Sequence, residues 1–202
     1  MRITCKTCRR LNMSVCGRVQ CALRRKPYAP GSHGRGQKRR REVSEYAKQL
    51  REKQIVRFLY GISEHQFRAY VTKALASHSG DVVKSVIEAL ETRLDNVVFR
   101  LGFAPTRRAA RQLVSHGHIA VGKRRVFVPS YRVRTGEVIT IIEKSRPKGA
   151  FTNLDITLKN QEVPVWLKLD PEKRTGSVAT LPVAEDVVRL YDIKSIVEYY
   201  SR

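Results

Sequence analysis

The sequence is short of acid. Asp and Glu together number 18 against 40 Lys and Arg, which leaves a formal net charge of +22 over 202 residues. That imbalance excludes a chain that neutralises itself and points to a polyanion as partner. No apolar run approaches the ~18 residues that cross a bilayer, and the N-terminus lacks the continuous apolar segment of a secretory signal. The expectation is a cytoplasmic protein with no membrane partner. Cysteine is absent after Cys21. Catalytic constellations are missing as well: there is no Ser/His/Asp or Cys/His grouping outside the cysteine stretch, no glycine-rich phosphate loop of P-loop type, and no large α/β region to hold a substrate pocket. "GSHGRG" is glycine-rich but precedes a charge run instead of opening a helix after a strand. No enzyme is expected. Apolar residues are not lacking, however. At 42% they exceed what a disordered basic tail carries and suffice for one or two modest cores.

Residues 1–44 read as an extended basic arm. Cys5, Cys8, Cys16 and Cys21 are spaced C-x2-C-x7-C-x4-C. A C-x2-C pair lets one turn present two sulfurs to a single ion, and the second pair completes a tetrahedron suited to zinc or to an iron–sulfur centre. Zinc is the favoured cofactor and the cluster the alternative. Lys6, Arg9, Arg10, Arg18, Arg24 and Arg25 offset the charge of four thiolates. Disulfides do not suit a cytoplasmic chain, and a redox pair opens a helix on a sheet for which this segment has no material. Pro27, Pro30, Gly31, Gly34 and Gly36 then break regular structure ahead of the run Lys38 to Arg41, which is read as a phosphate contact.

Helical signals begin at Ser44, a capping residue before "EYAKQLREKQIVRFLY", which Gly61 stops. Ser63 and Gln66 have capping-box spacing at the start of the next helix. Val83, Val86, Ile87, Leu90, Leu94, Val97, Val98 and Leu101 recur at three and four, making one apolar stripe with a break expected between Glu91 and Asp95. Glu91 and Asp95 beside Arg93 are read as helix-surface ion pairing, not as paired catalytic carboxylates.

In "TRRAARQLVSHGHIAVGKRR" Thr106 caps a helix with an oily back of Ala109, Ala110, Leu113 and Val114. Its cationic front carries Arg107, Arg108, Arg111 and Ser115. Arg107 and Arg111 stand four apart, where like charges cost a helix about 0.2–0.5 kcal/mol, so an anion is expected against them. Gly117 ends the helix in a left-handed conformation. "HIAVGKRRVFV" follows as a hairpin with Gly122 and Lys123 in a type II′ turn, and "VITIIEK" supplies another strand. The fold class is therefore α+β, with helices on a short antiparallel sheet over residues 95–157. His116 and His118 suit a phosphate contact or a local cap better than metal ligation, and Tyr28, Tyr46 and Tyr131 are candidates for stacking on bases.

The stretch "RLDNVVFRLGFAPTRRAARQLVSHGHIAVGKRRVFVPSYRVRTGEVI" resembles the small RNA-binding module named after bacterial small-subunit ribosomal protein four. "KPYAPGSHG", "LREKQ", "YGISEHQF", "VPVWLKLD" and "EYYSR" resemble the same family in the same order, and the cysteines look like its metal-binding subset. The resemblance implies a helical lobe from residues 45–94 completed by 158–202, with the RNA-binding module at 95–157. It implies a primary binder of small-subunit (16S) ribosomal RNA at a helix junction of the 5′ domain, nucleating assembly. It also implies a seat near the messenger RNA entry channel, beside neighbouring small-subunit proteins including protein five, with a contribution to translational accuracy. Candidate RNA contacts on this reading are Lys38, Arg39, Arg40, Arg41, Tyr46, Arg51, Lys53, Arg93, Arg107, Arg108, Arg111, Gln112, His116, His118, Lys123 and Arg124. Because the module is also appended to RNA-modifying enzymes, an accessory module of such an enzyme is one rival. A zinc-dependent DNA-binding protein is the other.

Overall fold

The computed structural model describes residues 3–35, 43–77, 81–146, 149–152, 154–183 and 191–201. The chain divides into two compact units, one of residues 1–86 with 187–202 and the other of residues 87–186. Numbered along the chain, the helices are α1 (Cys5–Leu11), α2 (Ala22–Arg25), α3 (Glu45–Tyr60), α4 (Glu64–Ala76), α5 (Val82–Glu91), α6 (Leu94–Arg100), α7 (Arg107–Ser115), α8 (Leu154–Lys159) and α9 (Ile193–Ser201). The strands are β1 (Ile119–Val121), β2 (Arg124–Arg125), β3 (Val138–Ile141), β4 (Leu167–Asp170) and β5 (Thr175–Val178). The class is α+β, as expected. No helix among the described residues is long and apolar enough to cross a membrane.

The first unit is helical. Ser44 accepts from the Ala47 N–H and Ser63 from the Gln66 N–H, so both predicted caps form. Gly61, at φ 64, ends α3 with its N–H on the Arg57 and Phe58 carbonyls. The last helix, α9, packs on α3 and α4, burying Ile193 and Ile196. Tyr60 and Tyr191 share a buried hydroxyl hydrogen bond at 2.5 Å. The N-terminal segment differs from a simple extended arm. Cys5–Leu11 and Ala22–Arg25 are helical, Leu11 and Val15 are buried, and Arg51 of α3 donates twice to the Leu11 carbonyl at 3.1 and 2.8 Å. Apolar burial at those two residues folds the segment back into the unit.

The second unit shows the expected break in the apolar stripe. Thr92 and Arg93 leave the helix because the backbone of residues 129–133 competes for them. The Val133 N–H donates to the Thr92 carbonyl, and the Leu94 and Asp95 N–H groups donate to the carbonyls of Tyr131 and Pro129. Beyond the break, Leu94, Val97, Val98 and Leu101 enter a core with Ala110, Val114, Ile119, Ile139, Ile141 and Trp166.

The sheet is antiparallel in the order β2-β1-β3-β5-β4. It extends past residue 157, where sequence reading ended the module, because β5 adds to β3 with Ile139 opposite Gly176 and carries β4 with it. Trp166, Leu167 and Val178 thus belong to this core, and only residues 187–202 return to the helical unit. Gly176 is required by close approach: a Cβ there would lie 2.4 Å from Leu101 Cδ1.

Candidate nucleic-acid interface

Helix α7 has the two faces its sequence predicts. Thr106 caps it by accepting from the Ala109 N–H at 3.2 Å. Ala110 and Val114 are buried, Ala109 and Leu113 half-buried, and Arg108, Gln112, Ser115 and His116 exposed, with Arg111 at the margin. Gly117 then turns the chain at φ 67, a left-handed conformation that other residues adopt only at a cost. The β1–β2 hairpin follows at once. Of its two loop residues only Gly122 has positive φ, as a type II′ turn requires, and Lys123 and Arg124 stand exposed. Arg125 ties this hairpin to the helix end, donating to the Gly117 carbonyl at 2.6 Å and the His116 carbonyl at 3.2 Å. Helix and hairpin therefore present one fixed cationic surface.

Arg107 departs from the cationic front. Its guanidinium lies 4.5 Å from the centroid of the Phe99 ring, and its Nε donates to Asn96 Oδ1 at 2.8 Å. Asn96 is itself held by Glu91, whose buried carboxylate accepts from Asn96 Nδ2 at 2.7 Å and from Arg100 at 3.2 and 2.8 Å. A polar chain thus runs from the helix break to the first residue of α7. Burying these groups is tolerable only because each is paired.

Arg93 departs further from the binding surface. It is 1% exposed and makes a two-point pair with Asp95, at 3.0 and 2.8 Å, in place of the helix-surface pairing expected of Glu91 and Asp95. Once the helix breaks, these charges face inward and must satisfy one another. Arg93 is consequently not displayed to RNA in this structure.

Three further candidates fall in the helical unit. Lys53 is buried, 2.8 Å from Glu64 and 4.5 Å from the Tyr199 ring centroid. Burial in this pair, not display to RNA, is its position here. Tyr46 is exposed but its hydroxyl stands 3.4 Å from that of Tyr199, and Arg51 is exposed while bonded to Leu11. Glu64 also accepts from Arg57 and Tyr200. Burial pushes its carboxyl up, but hydrogen bonds from Lys53, Tyr200 and Arg57 outweigh that and hold it below the ordinary value. Lys38, Arg39, Arg40 and Arg41 lie outside the described residues.

His118 is half-buried, with Nδ1 2.9 Å from Ser145 Oγ and its ring edge-on to Phe151, which fits a local structural role. Of the tyrosines, Tyr131 donates to Glu137 at 2.8 Å and Tyr28 lies beneath the Arg9 guanidinium. Sequence reading missed Asn96, Arg125 and Phe127. The signal for the last pair was present in "RRVFV": strand alternation sends Arg125 and Phe127 to one face, opposite the apolar Val126.

Three of the four cysteines come together. The sulfurs of Cys5, Cys16 and Cys21 lie within 4.8 Å of one another. Cys8 is fully buried beside them, with Cys16 and Cys21 among the groups that act on its thiol. Burial, reinforced by those neighbours, pushes the Cys8 thiol up to about 12. Cys21 is also raised by burial, yet hydrogen bonds from the Leu23 backbone, Ser14, Cys16 and Cys8 prevail and bring it to about 7. Four thiolates around one ion at ~2.3 Å would stand about 3.8 Å apart. Cys5, Cys16 and Cys21 stand within about 1 Å of that spacing, so the cluster can hold a metal ion, with Cys8 the nearby candidate for a fourth ligand.

Fold and surface together define a class: an α+β protein that displays a cationic helix and hairpin suited to a polyanion and gathers cysteines in its N-terminal segment. Comparison with known proteins makes this specific. Residues 2–91 match the model of the ribosomal protein S4/S9 N-terminal domain, and residues 92–139 match that of the S4 domain. The chain is 47% identical to small ribosomal subunit protein uS4 of Thermus thermophilus, with 98% of this chain and 96% of the relative covered. At 42% identity and the same coverage it is similar to uS4 of Pseudothermotoga lettingae and to uS4A of Myxococcus xanthus. The chain belongs to the small ribosomal subunit protein uS4 family.

Proposed function

We propose that this chain is a structural constituent of the small ribosomal subunit that binds its RNA at a junction of helices early in assembly. The observation that carries the reading is the exposed surface of Arg108, Gln112, His116, Lys123 and Arg124, with Arg111 at its margin, in a chain of net charge +22. A-form helices hide their base edges in a deep groove and offer phosphates and riboses instead. A rigid cationic surface reads such a junction by shape. Full-length similarity to small-subunit proteins supports the remaining partners: neighbouring small-subunit proteins, including protein five, and messenger RNA near the entry channel.

The cysteine site serves the same role. Cys5, Cys8, Cys16 and Cys21 would hold one zinc ion, and four thiolates leave no open position for water or substrate. Bound there, zinc would supply a structural cross-link between the turns carrying these cysteines, in the segment that packs on α3 through Leu11. An iron–sulfur cluster is the alternative occupant of the same four sulfurs.

Binding to small-subunit RNA tests the proposal. About six phosphate contacts should cost roughly a thousandfold in affinity between 50 and 200 mM salt, and duplex DNA of equal length should compete poorly. A flat salt response, or effective displacement by DNA, would overturn it.

A further inference from the structure

Phe127 follows the basic hairpin, and 52% of it is exposed. A single exposed apolar residue ordinarily needs no explanation, but this ring is built into place. The Arg125 guanidinium lies over it, 4.8 Å from the centroid. Arg125 is immobilised in turn by its hydrogen bonds to the Gly117 and His116 carbonyls. Gly117 makes the approach possible, since a Cβ there would meet Phe127 Cε1 at 2.4 Å and Arg125 Nε at 2.5 Å. One glycine thus ends α7 and also seats the ring. An arginine whose donors are taken by backbone carbonyls has fewer left for phosphate; its position over the ring makes it a support.

We propose that Phe127 is a stacking platform for one unpaired RNA base, with Arg125 as the residue that holds it. This rests on the RNA-binding reading above and adds a contact to a base, where the rest of the surface offers contacts to phosphate. The surroundings select the occupant. Exposed Lys123 and Arg124 make the neighbourhood cationic, which suits a nucleotide and disfavours a basic protein segment. A base has an apolar face matched to the ring, and stacking on a guanidinium-backed aromatic is indifferent to which base it is. The ring is held before binding, so little entropy is lost when the base arrives.

The test uses the full chain and an in-vitro transcript of the 5′ domain of small-subunit ribosomal RNA. Phe127→Leu keeps an apolar contact on Gly117 but removes the aromatic face; Phe127→Tyr keeps the face. The expected result is a loss of about 5- to 150-fold in affinity for F127L, the range alanine substitution gives for one stacked base, and a loss under about twofold for F127Y. The dependence of log K on log salt should keep the wild-type slope in both, whereas Lys123→Gln with Arg124→Gln should flatten it. As a second readout, F127W should show tryptophan emission quenched by the transcript, an effect the already buried Trp166 does not give in the parent. Wild-type affinity in F127L, or unquenched F127W, would overturn the platform while leaving the RNA-binding reading intact. Absence of salt-dependent binding by the parent would overturn that reading itself, and the platform with it.

Discussion

Replacing Arg107 by Gln separates the two roles that the arginines of α7 divide between them. The sequence alone makes Arg107 one of three equivalent cations, whose neutralisation relieves repulsion and leaves the fold intact. The structure assigns it a cost. The hydrogen bond to Asn96 Oδ1 at 2.8 Å is charge-assisted and contributes about 1.5–3 kcal/mol when enclosed. Arg107 is only half-buried, so the lower end applies. The contact with the Phe99 ring at 4.5 Å adds about 0.5–1 kcal/mol at a partly exposed site. Relief of repulsion against Arg111 returns about 0.2–0.5 kcal/mol. The net loss is about 2 kcal/mol. For a unit of roughly 100 residues, at about 4–8 °C per kcal/mol, that lowers the midpoint by about 8–16 °C. Arg108→Gln, on an exposed side chain, should stay within about 0.5 kcal/mol of the parent yet weaken RNA binding and reduce its salt slope by about one contact. Thermal unfolding followed by near-ultraviolet circular dichroism, with RNA titration of both variants, measures the contrast. If R107Q unfolds at the parent temperature and loses affinity as R108Q does, Arg107 belongs to the binding surface and the assignment is wrong.

Three further outcomes follow from other parts of the molecule. Glu91→Ala leaves Arg100 and Asn96 without their shared carboxylate; because Arg100 is 23% exposed and can reach water, the loss should be near 3 kcal/mol, the low end for a broken buried pair, and urea unfolding giving under 1 kcal/mol would contradict it. The Glu64 carboxyl is depressed in the folded chain, so its stabilisation is complete above the unfolded value of about 4.5 and fades as pH falls through the lower folded value. Protection of the α9 amides, taken relative to their intrinsic exchange at each pH, should fall on going from pH 5 toward 3, and Glu64→Gln should remove that step; an unchanged step in E64Q would assign it elsewhere. Chelation or Cys16→Ser should loosen residues 5–25 and weaken RNA binding while the second unit unfolds as before, and protein purified without oxygen should contain about one zinc per chain. Four reactive thiols and no metal would contradict the site, and iron with sulfide would favour the cluster.

What sequence reading recovered was local. Ser44, Ser63, Thr106 and Gly117 act on backbone groups within four residues of themselves, so their effects are written in the spacing. A break between Glu91 and Asp95 was expected although the stripe itself runs on from Leu90 to Leu94, but its cause was not legible, since residues 129–133 supply the competing hydrogen bonds from far along the chain. Burial hid the fate of Arg93, which turns inward onto its near neighbour Asp95, and of Lys53 and Arg107, which meet Glu64 and Asn96. Each is a cation whose partner is set by tertiary packing, and composition counts all of them as free charge. Strands β4 and β5 are four residues long and set among prolines and a charged turn, too short for alternation to distinguish them from loop. The exposed cations of α7 and the hairpin were legible because one helical turn and one two-residue loop fix where they point.

The central claim, a seat on the small ribosomal subunit, is tested most directly by affinity purification of the tagged full chain from its own cells, followed by sedimentation. The account predicts that the chain travels with the small subunit at low salt and is released as salt rises. A chain that runs free of ribosomal particles at every salt concentration, together with an RNA-modifying activity, would contradict it.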